Sequence, residues 1–269
     1  MRRAWWGLFG LAALLLLRGS SCTHIARPYP PPKAGELVST LRARAQQVRS
    51  LRAETRMSHR SEQGKVKATV RLMARRGGEL RCDAVTPFDT PLMTLVVSGG
   101  QFGLVDADKN RYFHGPATPC NIARLLQVSL APDDILTVLG GGVPIIEHKS
   151  ARLDWDDRQG AEVLTLGGDE LEQTIRLDGN DRTFDLLLSE VRDRSGGVVL
   201  RIEPEGHRLV SGLRAPRGIK VSQPQRKAEL ELAFKQEELN IDLPASAFEL
   251  PGAGGLPSQR VDCETDVKR

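Results

Sequence analysis

Three stretches of strict two-residue alternation constrain this chain more than any other feature. Leu51, Ala53, Thr55 and Met57 alternate with Arg52, Glu54, Arg56 and Ser58. Val66, Ala68, Val70, Leu72 and Ala74 alternate with Lys65, Lys67, Thr69, Arg71 and Met73, and Leu80, Cys82 and Ala84 alternate with Glu79, Arg81 and Asp83. Successive side chains of a strand point to opposite faces, so these runs describe antiparallel strands with one wet face and one apolar face. Further strands are expected at 92–98, 102–106 and around Tyr112, then at 152–155, 161–166, 173–177, 183–189, 198–203, 219–222 and 229–237. About a dozen strands separated by Gly-, Asp- and Asn-rich turns predict a long antiparallel meander. A sheet of that length must curl. Only 4% of the residues are aromatic, so its core is expected to be leucine and valine.

The helices are few. Leu37, Val38, Leu41, Ala45, Val48 and Leu51 form one apolar stripe across 36–51, with Arg42, Arg44, Gln47 and Arg49 turned to water. Between the two groups of strands, 119–130 and 132–139 read as short helices carrying Ile122, Leu125 and Leu126, then Ile135, Leu136 and Leu139. Pro132 with Asp133 and Asp134 is a good helix start, and Gly140-Gly141-Gly142 an equally plain stop. Neither helix can bury its stripe alone, so both must lie over an apolar surface. The expected fold is α+β: an open, curled antiparallel half-barrel, an N-terminal helix, and two lid helices over an apolar interior. That interior would be lined by Val70, Leu72, Leu80, Leu95, Ile122, Leu125, Leu126, Ile135, Leu136 and Leu139.

The N-terminus addresses the chain. Arg2-Arg3 precede an uncharged apolar run over 4–17, too short to span a bilayer and suited to a signal peptide. Gly19, Ser20 and Ser21 then lead into Cys22, an order similar to the lipobox of bacterial lipoproteins. The expected organisation is a signal peptide over 1–21, an acylated Cys22 with a tether over 22–35, one domain over 36–250 and a flexible tail over 251–269. Four prolines between 28 and 32 make the tether a semi-rigid spacer holding the domain off a membrane. Thr23 stands where lipoproteins retained in the inner membrane often carry Asp, which by resemblance to that sorting rule sends the chain to the outer membrane. With Cys22 acylated, Cys82, Cys120 and Cys263 allow one disulfide at most, and buried hydrophobes plus one tail thiol are the expected state.

From 86 to 145 the chain resembles the LolA/LolB family of periplasmic lipoprotein carriers and outer-membrane lipoprotein receptors, and LolB more closely. Thr86-Pro87-Phe88-Asp89-Thr90 resembles the Pro-apolar-Gly turn of LolB, with Asp89 in place of the Gly. The hairpin through Leu104-Val105-Asp106 and Lys109-Asn110-Arg111-Tyr112, the paired helices ending at Leu139-Gly140, and Val143-Pro144 follow in the same order. Leu243-Pro244 through Phe248-Glu249-Leu250-Pro251 resembles the closing strand of LolA-like domains. The resemblance implies an apolar cavity that shelters acyl chains, and a protruding membrane-inserting loop made here by Pro87, Phe88 and Pro91. It implies lipid acyl chains or lipoproteins as ligands and a periplasmic LolA-like carrier as a partner. The strands after Ala151 have no counterpart in LolB.

No chemistry competes with that expectation. The five histidines are scattered, and Asp106 to Asn110 lacks the Gly and Glu of a calcium loop. No nucleophile elbow, phosphate loop or dinucleotide fingerprint occurs, so no catalytic residue, cofactor or metal is expected. The net charge of +4 is dispersed rather than striped, which argues against nucleic acid. Two readings remain. One is an anchored lipoprotein that binds acyl chains and localises lipoproteins at the periplasmic side of the outer membrane. The other is a structural or assembly lipoprotein with a filled core that docks a protein partner.

Overall fold

The computed structural model describes residues 24–62, 64–86, 88–126, 129–180, 182–250 and 254–263, and of residues 124–126 the backbone alone. Cys22 and Pro87 lie outside the described residues, as do the side chains of Leu125 and Leu126. Helix α1 (Ala34–Gln47) leads into β1 (Ser50–Ser61), β2 (Gly64–Arg75), β3 (Glu79–Val85), β4 (Pro91–Ser98), β5 (Gln101–Asp106) and β6 (Arg111–Pro116). Two short helices follow, α2 (Pro119–Leu126) and α3 (Pro132–Leu139). Next come β7 (Ser150–Asp156), β8 (Ala161–Gly167), β9 (Leu171–Asp178), β10 (Leu186–Asp193) and β11 (Val198–Val210). The chain ends with β12 (Leu213–Gln223), β13 (Ala228–Leu239) and the short β14 (Ser258–Arg260).

All these strands form one sheet in the order β14-β6-β5-β4-β3-β2-β1-β13-β12-β11-β10-β9-β8-β7. It is open, curled and antiparallel apart from the parallel β14–β6 pair. The alternation sets its register. Ala53, Leu72, Cys82, Leu95, Leu104 and Phe113 stand directly opposite one another across β1 to β6. This row, with its neighbours two residues away, makes the apolar inner face on which α1 and α3 pack. Each leucine or valine buried there contributes about 2 kcal/mol.

Several elements differ from the sequence expectation. Helix α1 stops at Gln47 and Leu51 enters β1, because Asn240 takes over the chain at that point. The Asn240 amide accepts from the Arg49 N–H at 2.8 Å and donates to the Gln47 carbonyl at 2.9 Å. Strand β10 starts at Leu186 rather than 183, since Phe184 adopts a left-handed φ of 47°. Strands β11 and β12 extend to a hairpin at Ser211 and Gly212, whose φ values of 49° and 78° are those of a primed turn. Pro204, Gly206, Pro216 and Gly218 conceal that extension by reading as strand breakers.

The C-terminal expectations also change. Residues 243–250 form no closing strand: a 3-10 turn at Ala245–Phe248 lays Leu243, Phe248 and Leu250 on the outer face against Met73 and Val96. The tail beyond 251 is not free in its described part, for β14 pairs with β6 and Cys263 is bonded to Cys120 on α2. The expectation of unpaired cysteines there is therefore wrong; Cys82 is the free, buried thiol. Nor is the proline-rich segment a spacer over its described length. Tyr29 is buried with its ring edge-on to Trp155 and Phe184.

Candidate functional site

The inner face holds an apolar pocket of about 60 Å³ beneath α3. Its floor is Met57 of β1, Val70 and Leu72 of β2, Cys82 of β3, Ile219 and Val221 of β12, and Leu230 and Leu232 of β13. Leu130 and, from α3, Ile135, Val138 and Leu139 form its roof. Burial pushes the Cys82 thiol up to about 12, so it stays neutral and serves as one more apolar wall.

Of the residues expected to line a cavity, Val70, Leu72, Ile135 and Leu139 border this pocket. Leu80, Leu95, Ile122 and Leu136 are buried in the same apolar cluster without bordering it. Met57 and Cys82 belonged to alternating runs and could have been chosen on that signal. Leu230 and Leu232 could not, because nothing in sequence announces that β13 lies beside β1.

A second, wider groove of about 450 Å³ runs along the far side of α3. Pro144, Ile145 and Ile146 face Leu171, Val191, Val199 and Leu200 across it, with Asp134, Gln223 and Arg226 at its polar margin. Burial, chiefly, raises the pKa of Asp134 above the ordinary carboxylate value. Leu130 is buried and borders both the groove and the pocket. The groove walls come from β9, β10 and β11, among the strands beyond Ala151 whose purpose the sequence left unread.

Helix α3 is clamped rather than resting loosely. The Asp133 carboxylate accepts from the N–H groups of Gly77 and Gly78, each at 3.1 Å, in the β2–β3 turn. Beside it Arg76 donates to the Ala45 and Val48 carbonyls at the end of α1 and to Thr137 Oγ1 of α3. At the other end Gly140 passes so near Val48 that a Cβ would come within 2.8 Å of its side chain.

The β3–β4 loop carries the most exposed large apolar side chain among the described residues, Phe88, at 90%. Thr86 Oγ1 accepts from the N–H groups of Phe88 and Thr90, both at 3.2 Å. Asp89 holds a left-handed φ of 63°, the conformation a Gly would supply, and its carboxylate accepts from Arg71 at 2.6 Å. Pro91 and Leu92 are exposed beside Phe88. Among the described residues no three His, Cys, Asp or Glu side chains group as a metal site.

No protein-family model matches the chain, and no curated protein matches it in sequence. Solved structures do match in fold. A DUF1329 family protein from Desulfovibrio piger aligns with a TM-score of 0.56 at 12% identity, over 81% of this chain and 98% of that one. A putative outer membrane lipoprotein-sorting protein domain from Vibrio parahaemolyticus aligns at 0.56 and 15% identity, over 80% and 95%. A LolA superfamily protein from Nitrosomonas europaea aligns at 0.54 and 14% identity, over 79% and 97%. The chain thus has a LolA-like fold.

Proposed function

We propose that the chain binds acyl chains of lipoproteins or lipids and helps to localise lipoproteins at the outer membrane. In this reading it is anchored through an acylated Cys22, faces the periplasm, and works by binding rather than catalysis. The observation that carries it is the wholly apolar pocket between a curled sheet and the roof helix α3. The fold is shared with a protein described as lipoprotein-sorting and with a LolA superfamily member, which supports the same reading. A LolB-like division of labour follows: a periplasmic carrier of the LolA kind delivers cargo, the pocket takes the acyl chain, and the loop of Pro87, Phe88 and Pro91 enters the bilayer. Burying the Phe88 ring would contribute roughly 2 kcal/mol to such a contact.

One observation favours the other reading. At about 60 Å³ the pocket is small beside the roughly 300–1,000 Å³ of ordinary ligand sites, so the interior is nearly filled. An envelope assembly protein docking a partner needs no more than that.

Native mass spectrometry of the chain isolated from a membrane-containing host separates the two. Acyl-binding predicts extra mass matching a lipid or an acylated peptide, and its loss in Met57→Arg, where a half-buried wall residue becomes charged. An apo mass that persists when lipoprotein is offered would sink the carrier reading and leave the docking protein.

A further inference from the structure

The segment just after Cys22 is held by more contacts than a spacer requires. The Ile25 N–H donates to the Asp157 carbonyl at 2.6 Å, and Trp155 Nε1–H donates to the Ile25 carbonyl at 2.8 Å. The Arg182 guanidinium lies 4.7 Å over the Tyr29 ring, and that of Arg27 lies 5.2 Å over Trp155. Arg27 also pairs at 2.9 Å with Glu162, whose side chain is fully buried. Among the described residues no other cation pairs with Glu162. If the segment lifted away, that carboxylate would lose the guanidinium that pairs with it. Gly179 reads as part of the same arrangement, since a Cβ there would come within 2.4 Å of the Trp155 ring.

We propose that residues 24–32 are a latch that seats the domain directly on the bilayer holding its anchor, with the β7–β8 turn at 157–160 facing the headgroups. The proposal rests on the reading of Cys22 as the acylated residue. Cys22 is two residues before His24, which is bonded to Asp157 at 2.5 Å. Two residues reach at most about 7 Å, so an acyl chain inserted from Cys22 brings the Asp157 turn to headgroup level. Strands β8, β9 and β10 run antiparallel from that end, which puts the 194–197 turn at their opposite end. With seven or eight residues per strand, that turn stands roughly 25 Å further out. The domain therefore keeps one face to its own membrane instead of swinging on a spacer, and the β3–β4 loop, at the same end of the sheet as the 194–197 turn, reaches that bilayer only once the latch lets go.

The test uses the full chain, processed by a lipoprotein-exporting bacterium and reconstituted into phosphatidylethanolamine–phosphatidylglycerol vesicles with a headgroup-linked quencher. A fluorophore is attached at Arg158→Cys or, in a second preparation, at Ser195→Cys. The buried Cys82 and the bonded Cys120 and Cys263 leave these sites as the labelled ones. Quenching at 158 should exceed that at 195 by about five-fold or more, and the Arg27→Ala/Tyr29→Ala variant should bring the two together. Equal quenching in the acylated parent, or an unchanged difference in the variant, overturns the latch alone. A mass for the purified chain that shows no lipid on Cys22 overturns both the latch and the reading it rests on.

Discussion

Glu237 shows how one residue can depart from the pattern around it. It belongs to an acidic, outwardly alternating strand, yet its side chain is fully buried, 3.3 Å from Arg208. A bulge opposite Glu54 and Thr55 shifts the parity of β13, so Phe234 and Leu239 keep the inner face and Glu237 joins them. Burial pushes its pKa up from 4.5 to about 7, with Arg208 only partly opposing this. A carboxyl raised by folding adds stability that is complete below its unfolded value and is lost as pH rises through the folded one. Between about pH 4.5 and 7 this side chain therefore makes the protein less stable as the medium becomes more alkaline. Half-buried His207 works in the opposite sense, since burial lowers its pKa and its contribution is lost on acidification. Glu237→Gln separates the two. Denaturant midpoints should show the variant about 2 kcal/mol more stable at pH 8 and little changed at pH 5. Parallel profiles for variant and parent would show that the group titrates normally. The alternation of 229–237 was legible; the burial of Glu237 was not, because a bulge is set by the partner strand. Asp89 is the contrary case: where the resemblance to LolB leads one to expect a Gly, Asp takes the left-handed φ that a Gly would supply.

Among the elements, α3 was readable down to its ends, since Pro132 and the Gly140 triplet are local signals. What Asp133 does was not readable. Sequence reasoning assigned it to the helix dipole, whereas its carboxylate accepts from the Gly77 and Gly78 amides of a distant turn. Those bonds pin the roof of the pocket to the β2–β3 turn. Asp133→Ala should therefore free α3 and let reagents reach Cys82, which lines the pocket and is 8% exposed. The rate of Cys82 alkylation should rise about ten-fold, corresponding to roughly 1.4 kcal/mol of lost closure. An unchanged rate would assign closure to other contacts. Helix α2 is held differently, by the Cys120–Cys263 bond across 143 residues of chain. A loop that long stabilises by roughly 2–5 kcal/mol, so the Cys120→Ser/Cys263→Ser variant should melt well below the parent while keeping its far-ultraviolet spectrum. An unchanged melting temperature would mean that the β14–β6 pairing suffices by itself. The count of cysteines allowed one bond without saying which, because the pairing depends on where β14 meets β6.

On the scale of the whole molecule, alternation prescribed a curled antiparallel sheet and the helices supplied its cover. The lining of the interior was half legible, since β1 to β3 are consecutive but β13 and β12 come beside β1 only because the later strands start at the far edge with β7 and run back. The covered interior leaves about 60 Å³, and an acyl chain needs several times as much, so acyl binding as proposed here requires a prior opening in which the interior expands. A protein whose competent state is rare takes up ligand at a rate that levels off at the rate of opening. Stopped-flow uptake of a fluorescent fatty-acyl probe should therefore saturate with probe concentration. The same plateau should be higher in Asp133→Ala, and higher in Leu130→Ala, which trims the one side chain among the described residues that lines both the pocket and the adjoining groove. A rate that climbs linearly to the highest probe concentration, identical in all three proteins, would mean that neither α3 nor Leu130 controls entry. Because Leu130 lines both the pocket and the groove walled by β9 to β11, a selective effect of its substitution would also give those later strands a purpose, as an approach to the interior.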